Sequence, residues 1–292
     1  MVISHIIGGI GNQMFQYAAG RSLSLKYDQQ LLLDLSDFTN YRLHHGFELS
    51  RVFNVMAKSA EASTIDEMLA WRANPLIKKI LRRPQFVWLR GNKFVVEPHF
   101  NYWPSLFNRV DDCYLYGYWQ SERYFKPFES VIRKDFTFRE PLAGRNSELA
   151  SEIAQTQSVS LHVRRGDYLS DSKTGTIMHV CSLEYYRNAI SYIAERVERP
   201  VFYIFSDDLA WVRQNLSMAF PCIYVDHNRG AESYRDMQLM SLCRNQIIAN
   251  SSFSWWGAWL NSNSEKLVVA PWNWFRNGTN DRDLIPPEWM RL

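Results

Sequence analysis

Residues 159–168 read VSLHVRRGDY, a short apolar run that ends in two arginines, a glycine and an aspartate. Val159 to Val163 has the length and branched side chains of a strand buried on both faces. The same pattern recurs on either side. Val201–Phe205 is followed by Ser206-Asp207-Asp208, Cys222–Val225 by Asp226-His227-Asn228, Gln246–Ala249 by Asn250-Ser251-Ser252, and Leu267–Ala270 by Pro271. Helical segments separate the strands: Asn146–Gln155, Leu183–Val197, a stretch ending near Leu216, Ser233–Cys243, and one continuing through Trp259. Short apolar strands alternating with helices specify a parallel sheet covered on both faces. Right-handed crossovers send every strand the same way. All the post-strand loops are therefore expected along one carboxyl edge, where open α/β sheets bind ligands.

The N-terminal half opens in the same manner. Val2–Ile7 reads as a strand, Gly8-Gly9-Ile10-Gly11 breaks it, and Asn12–Lys26 reads as a helix with Met14, Phe15, Ala18, Ala19 and Leu25 as its apolar stripe. Leu31–Leu33 is a second short strand ending at Asp34, and Ser59 to Leu81 reads as helical. Residues 82–138 are aromatic and irregular. Glu140-Pro141-Leu142-Ala143-Gly144 has linker composition, which divides the chain into domains at 1–140 and 141–292.

Composition narrows the function. The chain has 292 residues, 46% hydrophobic and 22% charged, typical of a globular protein. Aromatics reach 15%, with eleven Trp. Most such rings belong in a core, yet indole and phenol rings also stack on sugars, so the excess tilts toward a carbohydrate partner. A net charge of +3 is too small for a nucleic-acid-binding face. The four cysteines have neither CxxC nor zinc-finger spacing and read as free thiols in a reducing compartment. The N-terminal apolar run is short and lacks a basic lead-in, and no stretch reaches the eighteen or so apolar residues of a membrane span. A cytoplasmic protein is expected, with peripheral contact at the inner membrane face left open.

Four stretches carry candidate chemistry. Arg164 and Arg165 leave a strand end together, and a guanidinium fork matches phosphate oxygens. Gly166 would let the backbone turn sharply, and Asp167 could hold one arginine in place; an ordinary surface ion pair explains the same residues. Asn250-Ser251-Ser252-Phe253-Ser254 places hydroxyls where a strand enters a helix, a site for an anion or simply for helix capping. Gly8-Gly9-Ile10-Gly11-Asn12 suggests close backbone approach, but Met14 stands where a third glycine would complete a dinucleotide fingerprint, and no phosphate-binding P-loop occurs. Ser206-Asp207-Asp208 could meet a ribose or base, or cap the next helix through Ser206 or Asp207.

Taken together, GGIGNQMFQYAAGRSL at 8–23, HVRRGDY at 162–168, YIFSDD at 203–208 and ANSSFSWWGAWL at 249–260 resemble the family 11 glycosyltransferases, the α-1,2-fucosyltransferases. Gly117-Tyr118-Trp119-Gln120-Ser121-Glu122 is also similar to that family. The resemblance covers nearly the whole chain and is vague only from about 55 to 95. It implies a GT-B architecture, in which two Rossmann-like domains face across a cleft. It implies GDP-β-L-fucose as co-substrate, held mainly by 141–292, with 1–140 on the acceptor side. Transfer to the 2-hydroxyl of a galactoside with inversion is implied, with no metal and no cofactor. The resemblance implies Gly11, Asn12, His162, Arg164, Arg165, Asp167, Ser251, Ser252 and Phe253 at the donor, with Arg164 on the pyrophosphate and Asn12 near the reaction centre; Gly9, Ser206, Asp207 and Asn250 are expected to join the donor-binding set, and Arg164 and Asn12 to be catalytic.

A base must accept the acceptor's proton unless the transition state is strongly oxocarbenium-like. Asp34, His44, Glu97 and Glu122 are candidates among which the sequence does not choose; Asp34 attracts because it ends the second strand. The acceptor surface is expected near Tyr102, Trp103, Tyr118 and Trp119, with Glu122 beside them. A galactose-containing oligosaccharide or glycolipid is the expected acceptor, and nucleic acid is not expected. The competing readings are a non-catalytic sugar- or nucleotide-binding module, a sulfotransferase, and a transferase using another sugar nucleotide.

Overall fold

The computed structural model describes residues 1–39, 45–166, 176 and 178–292, so His44 and Asp167 lie outside the described residues. The chain forms two compact units: Met1–Arg139 with Arg282–Leu284, and Glu140–Asp281 with Ile285–Leu292.

The first unit is built on a parallel sheet of β1 (Val2–His5), β2 (Leu31–Asp34), β3 (Lys58–Ser59), β4 (Phe94–Val96) and β5 (Cys113–Tyr116) in the order β3-β2-β1-β5-β4. Helix α1 (Ile10–Lys26) follows β1 and is buried on nearly every side, Gln13, Gln16, Ser22 and Ser24 included, rather than along one stripe. For Gln13, Gln16 and Ser24 such burial is tolerable because the polar groups are paired, whereas Ser22 Oγ has no hydrogen-bond partner among the described residues. Gln13 Nε2 donates to the carbonyls of Gly8 and Gly46, both at 2.8 Å, and Gln16 Oε1 accepts from Ile7 N at 2.9 Å. After the short α2 (Leu49–Val52), the helix expected over 59–81 is in fact α3 (Ala62–Leu69), a 3₁₀ turn (Ala70–Ala73) and α4 (Pro75–Leu81). The break is local chemistry. Asn74 Oδ1 accepts from Leu76 N at 3.0 Å and Ile77 N at 3.4 Å, and Pro75 occupies the first helical turn, where its missing N–H costs nothing. β4 and β5, which the irregular stretch hid, complete the sheet, and α5 (Glu129–Asp135) follows.

The second unit holds a parallel sheet of β6 (Gln157–Val163), β7 (Pro200–Ser206), β8 (Cys222–Val225), β9 (Asn245–Ile247), β10 (Val268–Ala270) and β11 (Met290–Arg291) in the order β11-β10-β9-β6-β7-β8. The sequence had marked five of these six strands; the short terminal β11 went unseen. Helices α6 (Arg145–Gln155), α7 (Leu183–Ala194), α8 (Leu209–Asn215), α9 (Tyr234–Leu242) and α10 (Ser252–Leu260) alternate with them. Side chains on β7 divide between two cores. Phe202 and Ile204 pack with Val159, Leu161, Tyr186 and Ile193, whereas Tyr203 and Phe205 pack with Leu149, Ile153, Leu239 and Met240. Burial on both faces is what a continuous apolar strand requires. All four cysteines are free thiols.

Strand order reverses in both sheets. In the first unit the chain runs β1-β2-β3 to one side, crosses to β4 at the far edge and steps back to β5 beside β1; in the second it runs β6-β7-β8 and returns to β9 beside β6. The crevice outside such a switch point is the ligand site of open α/β sheets. HVRR leaves β6 and Asn250-Ser251-Ser252 follow β9, so these two segments flank the switch of the second unit.

Candidate functional site

At the end of β6 the register does the positioning. Val163 pairs with Ser206, which sets Arg164 opposite Asp207. Arg164 Nε lies 3.3 Å from Asp207 Oδ2. The same carboxylate accepts backbone N–H from Arg165 and from Gly166, each at 3.0 Å. One aspartate therefore fixes both the turn and the guanidinium. A Cβ on Gly166 would stand 3.1 Å from Asp207 Oδ2, so glycine serves here for space rather than for an unusual φ. The carboxylate seen to brace the arginine comes from the neighbouring strand. Asp207 is available because capping falls to Asp208, not to Ser206 or Asp207: Asp208 Oδ1 accepts from Trp211 N at 3.1 Å at the start of α8, and Ser206 Oγ accepts from Asp208 N at 2.9 Å.

The paired arginines differ. Arg165 lays its guanidinium 3.8 Å from the ring centre of Trp211, a cation–π contact, and its Nε is buried without a hydrogen-bond partner among the described residues. This contact turns Arg165 onto α8, a packing role that the motif did not reveal. His162 is buried with its ring 5.9 Å from that of Phe253, which brings the first turn of α10 against β6. Burial, and then the charge of Arg164, push the His162 pKa down to about 3, so the ring is neutral at any working pH. Its Nδ1 is also buried with no partner among the described residues.

The serine cluster divides its labour. Ser251 is the N-cap of α10, its Oγ accepting from Phe253 N at 3.3 Å. Ser254 Oγ turns back to the carbonyls of Ala249 and Ser251. Ser252 stays half-buried in the first turn of the helix. Asn250, expected at the donor, is wholly buried and used structurally: its amide donates to the carbonyls of His179 and Trp274, and Cys181 Sγ contacts its Oδ1 at 3.4 Å. Trp255 and Trp256 are core, packed edge-on with ring centres 5.0 Å apart.

In the first unit, Gly8 takes the left-handed conformation (φ +89°) and Gly9 precedes α1, with Gly11 inside its first turn. Asn12 Oδ1 accepts from Gln120 Nε2 at 2.7 Å, which ties the β1 turn to the β5 turn across the switch point. Asp34 is buried at the end of β2. It accepts from the Tyr114 hydroxyl and from Ser36 N at 2.9 Å, with Lys78 Nζ at 3.7 Å. Burial raises its pKa, but these partners outweigh burial and hold it below the usual carboxylate range. A carboxylate so satisfied is a weak base, and its burial removes it from an incoming hydroxyl; the placement argues against the role expected for Asp34.

Glu97 follows β4 and has the opposite character. It is partly exposed and accepts from Tyr118 N at 2.7 Å and Trp119 N at 3.0 Å, yet burial still pushes its pKa up to about 7. Gly117 allows this approach, since a Cβ there would stand 2.4 Å from Glu97 Cβ. Of the residues expected at the acceptor, Tyr118 is exposed, whereas Trp119 is wholly buried edge-on against Tyr124 and has no ring face to offer a sugar. Glu122 is buried and paired with Lys126 Nζ at 2.8 Å.

One cluster escaped the sequence reading. After β8, Asn228 Nδ2 bridges Asn146 Oδ1 at 2.9 Å and Asp236 Oδ1 at 2.8 Å, and His227 Nε2 lies 2.8 Å from Asn146 Oδ1. Burial pushes Asp236 up to about 7 in spite of Asn228. Asp226-His227-Asn228 had been placed at the carboxyl edge, but Asn146 and Asp236 sit on helices whose pattern marks them as ordinary polar positions.

This geometry can be set beside known proteins. The chain is 36% identical to an α-1,2-colitosyltransferase of Escherichia coli over 100% of its own length and 99% of that protein. It is 34% identical to the O-antigen biosynthesis glycosyltransferase WbnK of Escherichia coli, with 99% of each chain covered. A galactoside α-(1,2)-fucosyltransferase 1 of Leontocebus fuscicollis is 27% identical over 50% of this chain and 42% of that one. In fold, the α-1,6-fucosyltransferase NodZ soaked with GDP-fucose superposes with a TM-score of 0.56 at 17% identity, covering 89% of this chain and 91% of that one. The profile of glycosyl transferase family 11 matches residues 94–292, and with relatives this similar over their full length the chain belongs to that family.

Proposed function

We propose that this glycosyltransferase moves L-fucose from GDP-β-L-fucose to the 2-hydroxyl of a galactoside, with inversion and without an essential metal, on a GT-B architecture. The observation that carries the reading is Arg164, braced by Asp207 at the switch point of the second sheet, where the first turn of α10 packs against β6. As the glycosidic bond breaks, negative charge grows on the leaving diphosphate. A fixed guanidinium and the positive end of the α10 dipole stabilise that charge without reorganising. Ser252 and the neutral His162 supply polar contacts beside them. Glu97 is the proposed base, since a carboxyl with a pKa of about 7 is ionised often enough to act and basic enough to accept the proton of an incoming hydroxyl. Among the described residues no helix is long and apolar enough to cross a membrane; we assign the reaction to the cytoplasm.

A second donor is favoured by the colitosyltransferase relative. Colitosyl and fucosyl groups differ by a single ring hydroxyl, and a site that hydrogen-bonds that hydroxyl discriminates strongly against the sugar lacking it. The test is incubation with GDP-fucose and a panel of galactosides in the presence of EDTA, followed by mass and linkage analysis. One added fucosyl unit in a 1→2 linkage is the expected product. Absence of transfer from GDP-fucose to every galactoside overturns the proposal, and at least about tenfold preference for GDP-colitose in direct competition moves the donor to colitose.

A further inference from the structure

Charge along the chain is unevenly spread. Residues 68–96 contain seven of the 33 Lys and Arg and none of the 30 Asp and Glu, so without this segment the chain would be net negative. The segment is also rich in large apolar residues, and the fold divides them into two sets. Ile77 and Leu81 of α4, with Phe86 and Leu89 of the 3₁₀ turn Pro84–Leu89, pack into the core of the first unit. Leu76, Lys79, Ile80 and Arg83 recur at the spacing of a single helical face and are all exposed. Trp88 is 75% exposed and Leu76 74%, with Val87 and Trp71 exposed as well. Some cations turn inward: Lys78 to Asp34, Arg82 to the Tyr116 hydroxyl, Arg90 to the carbonyls of Leu81, Arg82 and Arg83. Lys79 and Arg83 have no acidic partner among the described residues, and Arg72 lies 4.5 Å over the ring of Trp71. Arg72, Arg90 and Lys93 line a recess close by.

We infer that this surface docks the protein on an anionic phospholipid bilayer. Exposed indole and aliphatic side chains set among unpaired Lys and Arg are matched by one environment above others. The rings and branched chains enter the boundary between headgroups and acyl chains, while the long cationic side chains reach the phosphates. A second copy of this chain is disfavoured by the charge itself, because a two-fold interface sets each patch against its twin and brings like charges together. The inference stands on the surface alone and does not depend on the donor proposed above.

The experiment is co-sedimentation of the full chain with vesicles of phosphatidylcholine alone and of equal parts phosphatidylcholine and phosphatidylglycerol, at low and high salt. The wild type is expected to pellet with the anionic vesicles, to release as salt rises, and to ignore the neutral ones. The Lys79→Glu/Arg83→Glu double variant should bind about tenfold more weakly or worse, and Leu76→Ser/Trp88→Ser should lose a comparable amount through lost insertion. All four positions are exposed, so folding is undisturbed, and turnover of a soluble galactoside should match wild type in both variants. No affinity for anionic vesicles, or binding that survives both double variants, overturns the inference. So does a concentration-dependent dimer in sedimentation that Trp88→Ser dissociates. If soluble turnover is absent from the wild type while vesicle binding behaves as stated, the transferase reading fails and this one stands.

Discussion

The two carboxyl edges of this protein share one architecture and carry opposite chemistry. Each lies at the end of a parallel sheet and each has a switch point, beside β1 in the first unit and beside β6 in the second. The second edge concentrates positive character in Arg164 and the first turn of α10, beside a histidine that burial keeps neutral. Asp207, the carboxylate seen against Arg164 there, holds the arginine turn. The first edge concentrates carboxylates. Asp37 is held below its usual range, chiefly by the hydrogen bond from His5, and Asp34 is held down by Tyr114, Ser36 and Lys78 in spite of burial. Glu97 alone among these three is pushed up. The lesson is that the fold fixes where chemistry can occur, and the loops decide which chemistry it is.

That contrast breaks first at Arg164. Arg164→Ala should lower kcat by about 10³ or more, as expected for a donor that stabilises charge formed in the transition state. Arg164→Lys should lose most of this as well, because a point charge cannot reach Asp207 and a phosphate together in the way a planar fork can. Circular dichroism should be unchanged and the affinity for GDP, by titration calorimetry, should fall. Near-normal turnover of Arg164→Ala would remove the cationic edge from the mechanism.

On the other edge, Glu97→Gln should cost about 10² in kcat. The sign of the pH dependence follows from the raised pKa. A base must be ionised, so wild-type activity should climb as pH rises through about 7, and the variant should lose that limb. Stability moves the other way: burial disfavours the ionised form, so the contribution of Glu97 is largest below the ordinary carboxylate range and is lost as pH rises through about 7. Thermal melts at several pH values should show this slope flattened in Glu97→Gln. A turnover profile in the variant with its rising limb intact would assign the proton to another group.

Much of the second unit was legible in the sequence because its strands are buried on both faces and read as plain apolar runs; five were recognised and only β11 was too short to see. The first unit was harder. β4 and β5 are three and four residues long and lie among 3₁₀ turns rich in aromatic residues, so no periodicity exposes them. The break in the long helix carries a signal in the sequence, Asn74-Pro75, which the reading of 59–81 as one helix did not use. Among candidate site residues, the sequence could mark Arg164 and the serines because the alternation of strands and helices gathers the post-strand loops at one edge. It could not assign Asp207 to the arginine turn, since that pairing depends on the register of two strands separated by a helix. Nor could it tell Asn250 and Trp119, both buried, from residues that face a ligand, because burial is a property of the packed chain.

The least expected effect belongs to Asp207, and it sharpens the comparison most. Asp207→Asn keeps one oxygen of the carboxylate, so it can still accept from Arg165 N or Gly166 N, but it loses the charge beside Arg164 and the second acceptor. A loss of about tenfold in kcat/KM is expected, as for a single charge-assisted contact. The decisive measurement is the double variant with Arg164→Ala. If Asp207 acts by holding Arg164, then adding Asp207→Asn to Arg164→Ala should cost almost nothing more, because the group it positions is already gone. Two losses that simply multiply would give Asp207 a contact of its own with the donor, and the second edge would then carry a carboxylate that acts directly, as proposed for Glu97 on the first.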